Sequence, residues 1–327
     1  MSPRTFIRLF TQIQLLPVME NGEETLVGGQ AVMEGVMMRA PHSYCVAVRK
    51  ASGEIVTEQM PLDRISETHK IFKLPIFRGV GTLFQAMSLG IKALRFSTNA
   101  ALDDPSIPAD KRPAEIPTWA IAGPMLFSLA SFIFLYKFMP LLLATRLSKI
   151  YPLLSGRINS NLVEGVIRIA IFLSFLYVLS KMKDIRRMFQ YHGAEHKVVF
   201  NFESGQDVTI ANAQKFSTFH PRCGTSFLFV MMILAMPVYA LIPFDGFVLK
   251  FVCRILLLPV IVGVSYELIR FAAKRRGSFL ATITAPGLWL QRITTKQPAD
   301  DQAAIAIAAL EGAMALEKSQ GGELVIA

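Results

Sequence analysis

The sequence predicts an α-helical multi-pass membrane protein with about four transmembrane helices and a small N-terminal α+β cytoplasmic domain. Three observations predict it. The chain of 327 residues is 52% hydrophobic and only 18% charged, below the quarter that soluble domains carry. Four apolar stretches of spanning length follow one another between 119 and 273. Ahead of them lies a polar region with strand periodicity.

That region comes first, as 22–100. "SYCVAVRK" and "EIVTEQM" flank "ASG", two short strands around a glycine-containing turn, which reads as a hairpin. Residues 76–98 repeat apolar side chains at helical spacing, with Lys92 and Arg95 late. Either a helix lying on the membrane surface or a buried core helix fits that pattern. Residues 101–117, rich in proline and mixed charge, form a linker.

The expected transmembrane domain occupies 118–295. Its spans are 119–145, interrupted by Pro124, Lys137 and Pro140; 162–180, with Glu164 and Arg168 near its start; the uncharged 225–243; and 247–273. Crossing a hydrocarbon core of about 30 Å takes about 20 mostly apolar residues. In the last span, Lys250 and Arg254 either snorkel outward or face the bundle. The 181–224 loop carries Lys181, Lys183, Arg186, Arg187, Lys197, Lys215 and Arg222. Arg270, Lys274, Arg275 and Arg276 follow the last span, and the connection at 244–246 has no lysine or arginine. Since basic loops stay inside, both termini and the 181–224 loop are expected in the cytoplasm, in a cell inner membrane. The moderately basic 146–161 connection, with Arg146, Lys149 and Arg157, fits this least well. "TAPGLWLQRITT" is expected at the interface with Trp289 as an anchor, and 296–327 is a C-terminal amphipathic helix and tail.

The net charge of +10 suits an anionic lipid surface. Nucleic acid is not an expected partner, because no basic run is interleaved with aromatics. Arg4 and Arg8 precede a short apolar patch without a convincing small-residue cleavage site, so no signal peptide is expected. Cys45, Cys223 and Cys253 are an odd, sparse set and read as reduced thiols.

The chemistry concentrates in "YHGAEHKVVFNFESG", residues 191–205. His192 and His196 are four apart and share a helix face. With Glu195 they spell H-x-x-E-H: the histidines ligate a metal and the glutamate acts as general base. A zinc site of this kind takes three protein ligands and leaves one position open. The third ligand would come from His220 or Cys223 in "HPRCGTSF", from Glu203, or from Glu267 near the cytoplasmic end of the last span. The plain alternative is a hydrogen-bonded histidine cluster, with Cys223 a buried thiol and Glu267 paired to Arg270 or Arg276. Glu34, in "GGQAVMEGVMMR", is either a further ligand or an ion-pair partner of Arg39. His42 and His69 read as ordinary histidines.

"GGQAVMEGVMMRAP", "YHGAEHKVVFNFESG", "HPRCGTSFLF" and "TAPGLWLQRITT", in that order from Gly28 to Thr295, resemble the DUF1385 family of bacterial membrane proteins with plastid relatives. The resemblance implies a multi-pass membrane protein described as a metal-dependent enzyme without a settled reaction. Its histidine motif falls on His192, Glu195 and His196, and the tail after Thr295 looks outside the shared region. The expected function is a zinc-dependent hydrolase at the cytoplasmic membrane face, acting on a lipid headgroup or a membrane-proximal peptide. The alternative is a non-enzymatic scaffold or membrane-protein biogenesis factor with a structural metal or a hydrogen-bonded histidine cluster. A transporter ranks below both, since no inverted repeat is visible; self-association of the chain is open.

Overall fold

The computed structural model describes residues 27–63, 65–102, 118–220, 223–274 and 279–320. Arg4 and Arg8, residues 103–117 of the expected linker, Arg222, Arg275, Arg276 and residues 321–327 lie outside the described residues.

Four antiparallel strands make a meander: β1 (Gly28–Val32), β2 (Gly35–Arg39), β3 (Ser43–Arg49) and β4 (Ile55–Pro61). The expected hairpin is β3–β4, with Arg49 opposite Ile55. A second hairpin, β1–β2, closes with Val32 opposite Gly35. Its turn holds Glu34 at φ 53°. It escaped the sequence reading because its glycines hide the alternation that marks a strand.

Both faces of the sheet are covered, and the alternation of side chains along β3 sorts them. Tyr44, Val46 and Val48 meet Leu89 and Ala93 of helix α1 (Phe77–Leu102). Cys45 and Ala47 share the opposite core with Ala194, Val198, Ile305, Leu310 and Ala313. The Cys45 thiol is pushed up to about 12 by burial, then by Glu58, so it stays protonated and inert. Helix α1 is buried on one side, through Leu89, Ala93 and Ala100, while Phe77, Phe84, Met87 and Leu94 are exposed.

The C-terminal helix (Asp300–Ser319) is a central element of this unit rather than a detached tail. Its alanines let it lie between the sheet and the helix Lys183–Glu203. Asp300 and Asp301 open it and Lys318 closes it, matching the helix dipole. Glu317 ties it to the sheet, accepting from the His42 amide at 2.9 Å and the Ser43 hydroxyl at 2.8 Å, with the His42 ring at 3.0 Å. Burial pushes this carboxyl up, but those hydrogen bonds outweigh it and hold it below the usual carboxylate range. The linked stability is therefore present above the ordinary carboxylate pKa and lost as pH falls through the folded value. Glu317→Gln should cost about 1.5–3 kcal/mol at neutral pH. Thermal unfolding of the two proteins should converge in acid; a difference that persists there would contradict this account.

The apolar part follows. Helix α2 (Thr118–Ile133) runs through a π-helical turn, Phe134–Phe138, into α3 (Met139–Ile150). Then come α4 (Arg157–Leu179), α5 (Lys183–Glu203), α6 (Gly224–Ala240), α7 (Phe247–Leu256), α8 (Leu258–Lys274), α9 (Phe279–Thr294) and α10, the C-terminal helix. Leu126–Ile150 and Arg157–Leu179 are long and apolar enough to cross a membrane. Phe247–Leu256 and Leu258–Phe271 make a third if the 46° bend between them lies within one span. Helix α6 has 17 residues, about 26 Å at the usual rise, short of the roughly 30 Å core. Of the four expected spans, two among the described residues have the length and composition to cross, or three with the bent pair.

These helices are arranged inside out relative to a soluble bundle. Phe127, Val178, Val248 and Leu256 are exposed, while Lys137, Glu164, Arg168 and Arg254 are buried. Arg254 faces the bundle; Lys250 lies 3.8 Å from the carboxylate of Asp245 at the surface. Helix α9 packs on α6 with Leu290 and Gln291 fully buried and Trp289 turned outward.

Candidate metal centre

The expected 181–224 loop is largely helical. Helix α5 carries His192, Glu195 and His196, and its residues from Tyr191 to Asn201 are buried except His192, which is half-buried. One turn of helix separates the histidines, so their rings meet at 4.4 Å between centroids. The chain leaves α5 and returns through Thr218, His220 and Cys223. Cys223 is the residue that opens α6.

Three ligand atoms converge, one each from His192, His196 and Cys223, all within 4.8 Å of one another. The Cys223 Sγ lies 3.3 Å from His192 Nε2. For imidazole and thiolate bound to one tetrahedral zinc, bond lengths of about 2.0 and 2.3 Å put N and S about 3.5 Å apart.

The other ring nitrogens carry the argument further. His192 Nδ1 is 2.8 Å from the carbonyl of Thr294, and His196 Nδ1 is 2.5 Å from the carbonyl of Thr218. A carbonyl oxygen only accepts, so each Nδ1 bears the proton and donates it. In the neutral ring that leaves Nε2 as a lone pair. Burial pushes His196 below the usual histidine range, against the raising effect of its hydrogen bond with Cys223. His196 is therefore neutral at neutral pH. Metal-binding histidines recurrently donate the second ring nitrogen to a carbonyl in this way. The donor set fits a divalent metal of the zinc class.

The remaining candidates divide. His220 is buried and adjoins the cluster, its ring 5.5 Å from that of His196 and 4.5 Å from that of Phe200. It falls outside the converging trio, with Nε2 3.5 Å from the Glu203 carboxylate. Burial lowers its pKa and Glu195 raises it, with the lowering dominant. Gln291 clamps its backbone, accepting from the His220 amide and donating to its carbonyl, both at 2.7 Å. Glu195 is buried with Oε2 3.5 Å from His196 Nε2. Glu267 is a correction: its carboxylate is gripped by the Arg78 guanidinium, with Nε at 2.5 Å, and it is not among the converging ligands. The ion-pair alternative for it named Arg270 or Arg276; Arg276 lies outside the described residues, and α1, folded onto α8, delivers Arg78. Glu34 is likewise drawn to Arg187 rather than Arg39, and Tyr191 donates to it at 3.2 Å. His42 joins Glu317.

Sequence reading missed the frame around the cluster. Gly29, in the first glycine motif, lies against Glu195: a Cβ there would sit 2.7 Å from Glu195 Cγ. Gly193, inside the histidine motif, lets α5 pass the chain after α9, where a Cβ would stand 2.0 Å from the Lys296 carbonyl. Lys296 in turn donates its amide to Phe189 at 2.9 Å. The glycine in H-G-A-E-H was the available signal. Gly193→Ala should destabilise the protein by about 1–3 kcal/mol through overpacking against rigid backbone and displace His192. Thermal unfolding in detergent checks it; an unchanged melting temperature would refute the close approach.

The chain matches the model of a protein family described as "Protein of unknown function (DUF1385)" over residues 74–316. It is 34% identical over 299 residues to "Uncharacterized protein YqhQ" of Bacillus subtilis (strain 168), spanning 89% of this chain and 92% of that protein. No solved structure matches it. The family match runs into α10, which the sequence reading had put outside the shared region.

Proposed function

We propose that this chain, which belongs to the DUF1385 family, is an inner-membrane protein with a zinc-class metal centre at the cytoplasmic face and hydrolytic activity there. The single observation that carries the reading is the pair of Nδ1-to-carbonyl hydrogen bonds that aim two Nε2 lone pairs toward Cys223. His192, His196 and Cys223 hold the metal, and Glu195 takes the proton of an attacking water. Zinc bound by three protein ligands supplies a Lewis acid with one position open to substrate. The basic 181–224 segment argues for the cytoplasmic side. With the bent α7–α8 pair as one span and α6 as a short one that the bilayer thins to meet, the chain crosses four times and both termini lie inside. Lipid headgroups or membrane-proximal peptides are the substrate class within reach.

A second reading has its own support: His196 and Cys223 are buried, and the cluster ties α5 to Thr218, to Cys223 and to Thr294 at the end of α9. Such a site serves as a structural staple in a non-enzymatic scaffold or biogenesis factor. Metal analysis of detergent-purified protein, joined to headgroup release from membrane lipid extract, separates the two. The hydrolase reading expects about one zinc per chain and release that Glu195→Gln abolishes while keeping the zinc. Zinc retained in both, with no release by wild type, favours the staple. Absence of zinc after purification without chelators and after reloading sinks both.

A further inference from the structure

Far along the chain from the histidines, three cationic side chains converge on one aromatic ring. Lys137 Nζ and the guanidinium carbons of Arg168 and Arg254 lie 5.2, 5.2 and 5.1 Å from the centre of the Tyr239 ring. All three are buried, with side-chain exposures of 3% for both arginines. Glu164 pairs with Arg168 and, through its other oxygen, with Arg254. Asn161 accepts from Arg254 Nη2 at 2.9 Å, and Lys137 donates to the Tyr239 hydroxyl at 2.7 Å. Glu164 is the only carboxylate that the described residues bring to three cations. The basic groups outnumber the carboxylate by two.

The placement makes this excess costly. Lys137 sits on the π-helical turn in the middle of Leu126–Ile150, and Arg168 in the middle of Arg157–Leu179. Arg254 lies beside the 46° break between α7 and α8. Ionisable groups at such depth are rare unless paired or functional, and interrupted helices at the midplane are where membrane proteins build ion sites. Two buried donors, Arg168 Nη1 and Arg254 Nε, find no hydrogen-bond acceptor among the described residues. An open apolar groove of about 390 Å³ is lined by Val238, Leu241, Ile242, Cys253, Leu256 and Leu257, and neither Tyr239 nor the three cations line it.

We propose that Lys137, Arg168 and Arg254 form a binding site for a phosphate oxyanion, free or carried by an acidic lipid. Arginine and lysine together supply the forked donors and point charge that phosphate takes. An anion there satisfies the two open donors and balances the excess charge. The site is independent of the histidine cluster.

The test uses full-length protein in nanodiscs of phosphatidylcholine. One arm titrates inorganic phosphate at constant ionic strength by calorimetry. The other adds phosphatidylglycerol and reads lipid retention by native mass spectrometry. Saturable phosphate binding identifies the free ion; selective retention of phosphatidylglycerol identifies the lipid. In either case Lys137→Met, which leaves both Glu164 pairs intact, should weaken binding at least ~10-fold, and Lys137→Arg should keep it. Wild type that neither binds phosphate nor prefers the acidic lipid overturns the proposal without any variant. Binding that is indifferent to Lys137→Met in correctly folded protein overturns it too.

Discussion

Glu164→Ala should be the most damaging single change in the apolar bundle. It deletes the carboxylate shared by Arg168 and Arg254 and leaves both guanidinium groups buried with no countercharge from the protein. Breaking a buried pair by removing one partner costs about 3–5 kcal/mol, a large part of the stability of an ordinary domain. The expected result is little folded protein in the membrane and a sharply lower unfolding temperature for what is recovered. Replacing Glu164, Arg168 and Arg254 together by leucine should restore much of the loss, because an apolar core of similar volume often matches a buried ion network. A Glu164→Ala protein that accumulates and unfolds like wild type would mean that these groups are hydrated rather than buried.

If the proposed centre holds zinc, His196→Ala should have the largest effect on metal content. His196 is both a member of the converging trio and the donor that holds the Thr218 carbonyl. Losing an outer-shell partner already costs about 10–100-fold in metal affinity; losing a ligand should exceed ~100-fold. A zinc titration against a competing chelator reads this directly. Limited proteolysis should also show the chain loosened at Thr218, whose carbonyl loses its hydrogen bond to α5. Unchanged zinc stoichiometry in the variant would remove His196 from the site and leave the H-x-x-E-H spacing as coincidence.

Three residues that the sequence singles out, His192, His196 and Cys223, converge in the candidate site, and the limits of that legibility are physical. His192 and His196 stand out because four residues make one helical turn, a rule that operates within one element. Cys223 was within reach because a thiol in "HPRCGTSF" is a metal-ligand side chain near a helix start. Thr218, Thr294 and Lys296 were invisible, since they contribute backbone carbonyls that every residue possesses. His220 was placed in the right neighbourhood but serves beside the trio, held by Gln291 from α9. Glu267 was misread because a carboxylate near a membrane end finds the nearest cation in space, and Arg78 arrives from a helix much earlier in the chain.

The sequence by itself determined the β3–β4 hairpin, the long apolar helices and the residue types of the candidate centre. Those follow from periodicity, turn chemistry and side-chain identity, which act over a few residues. Only the tertiary structure decided that the sheet, α5 and α10 share one core, and that the histidine rings present Nε2 toward Cys223. It alone brought Lys137, Arg168 and Arg254 around Tyr239. Each of these depends on groups distant in sequence meeting at contact distance, where desolvation and charge rather than local periodicity choose the partner.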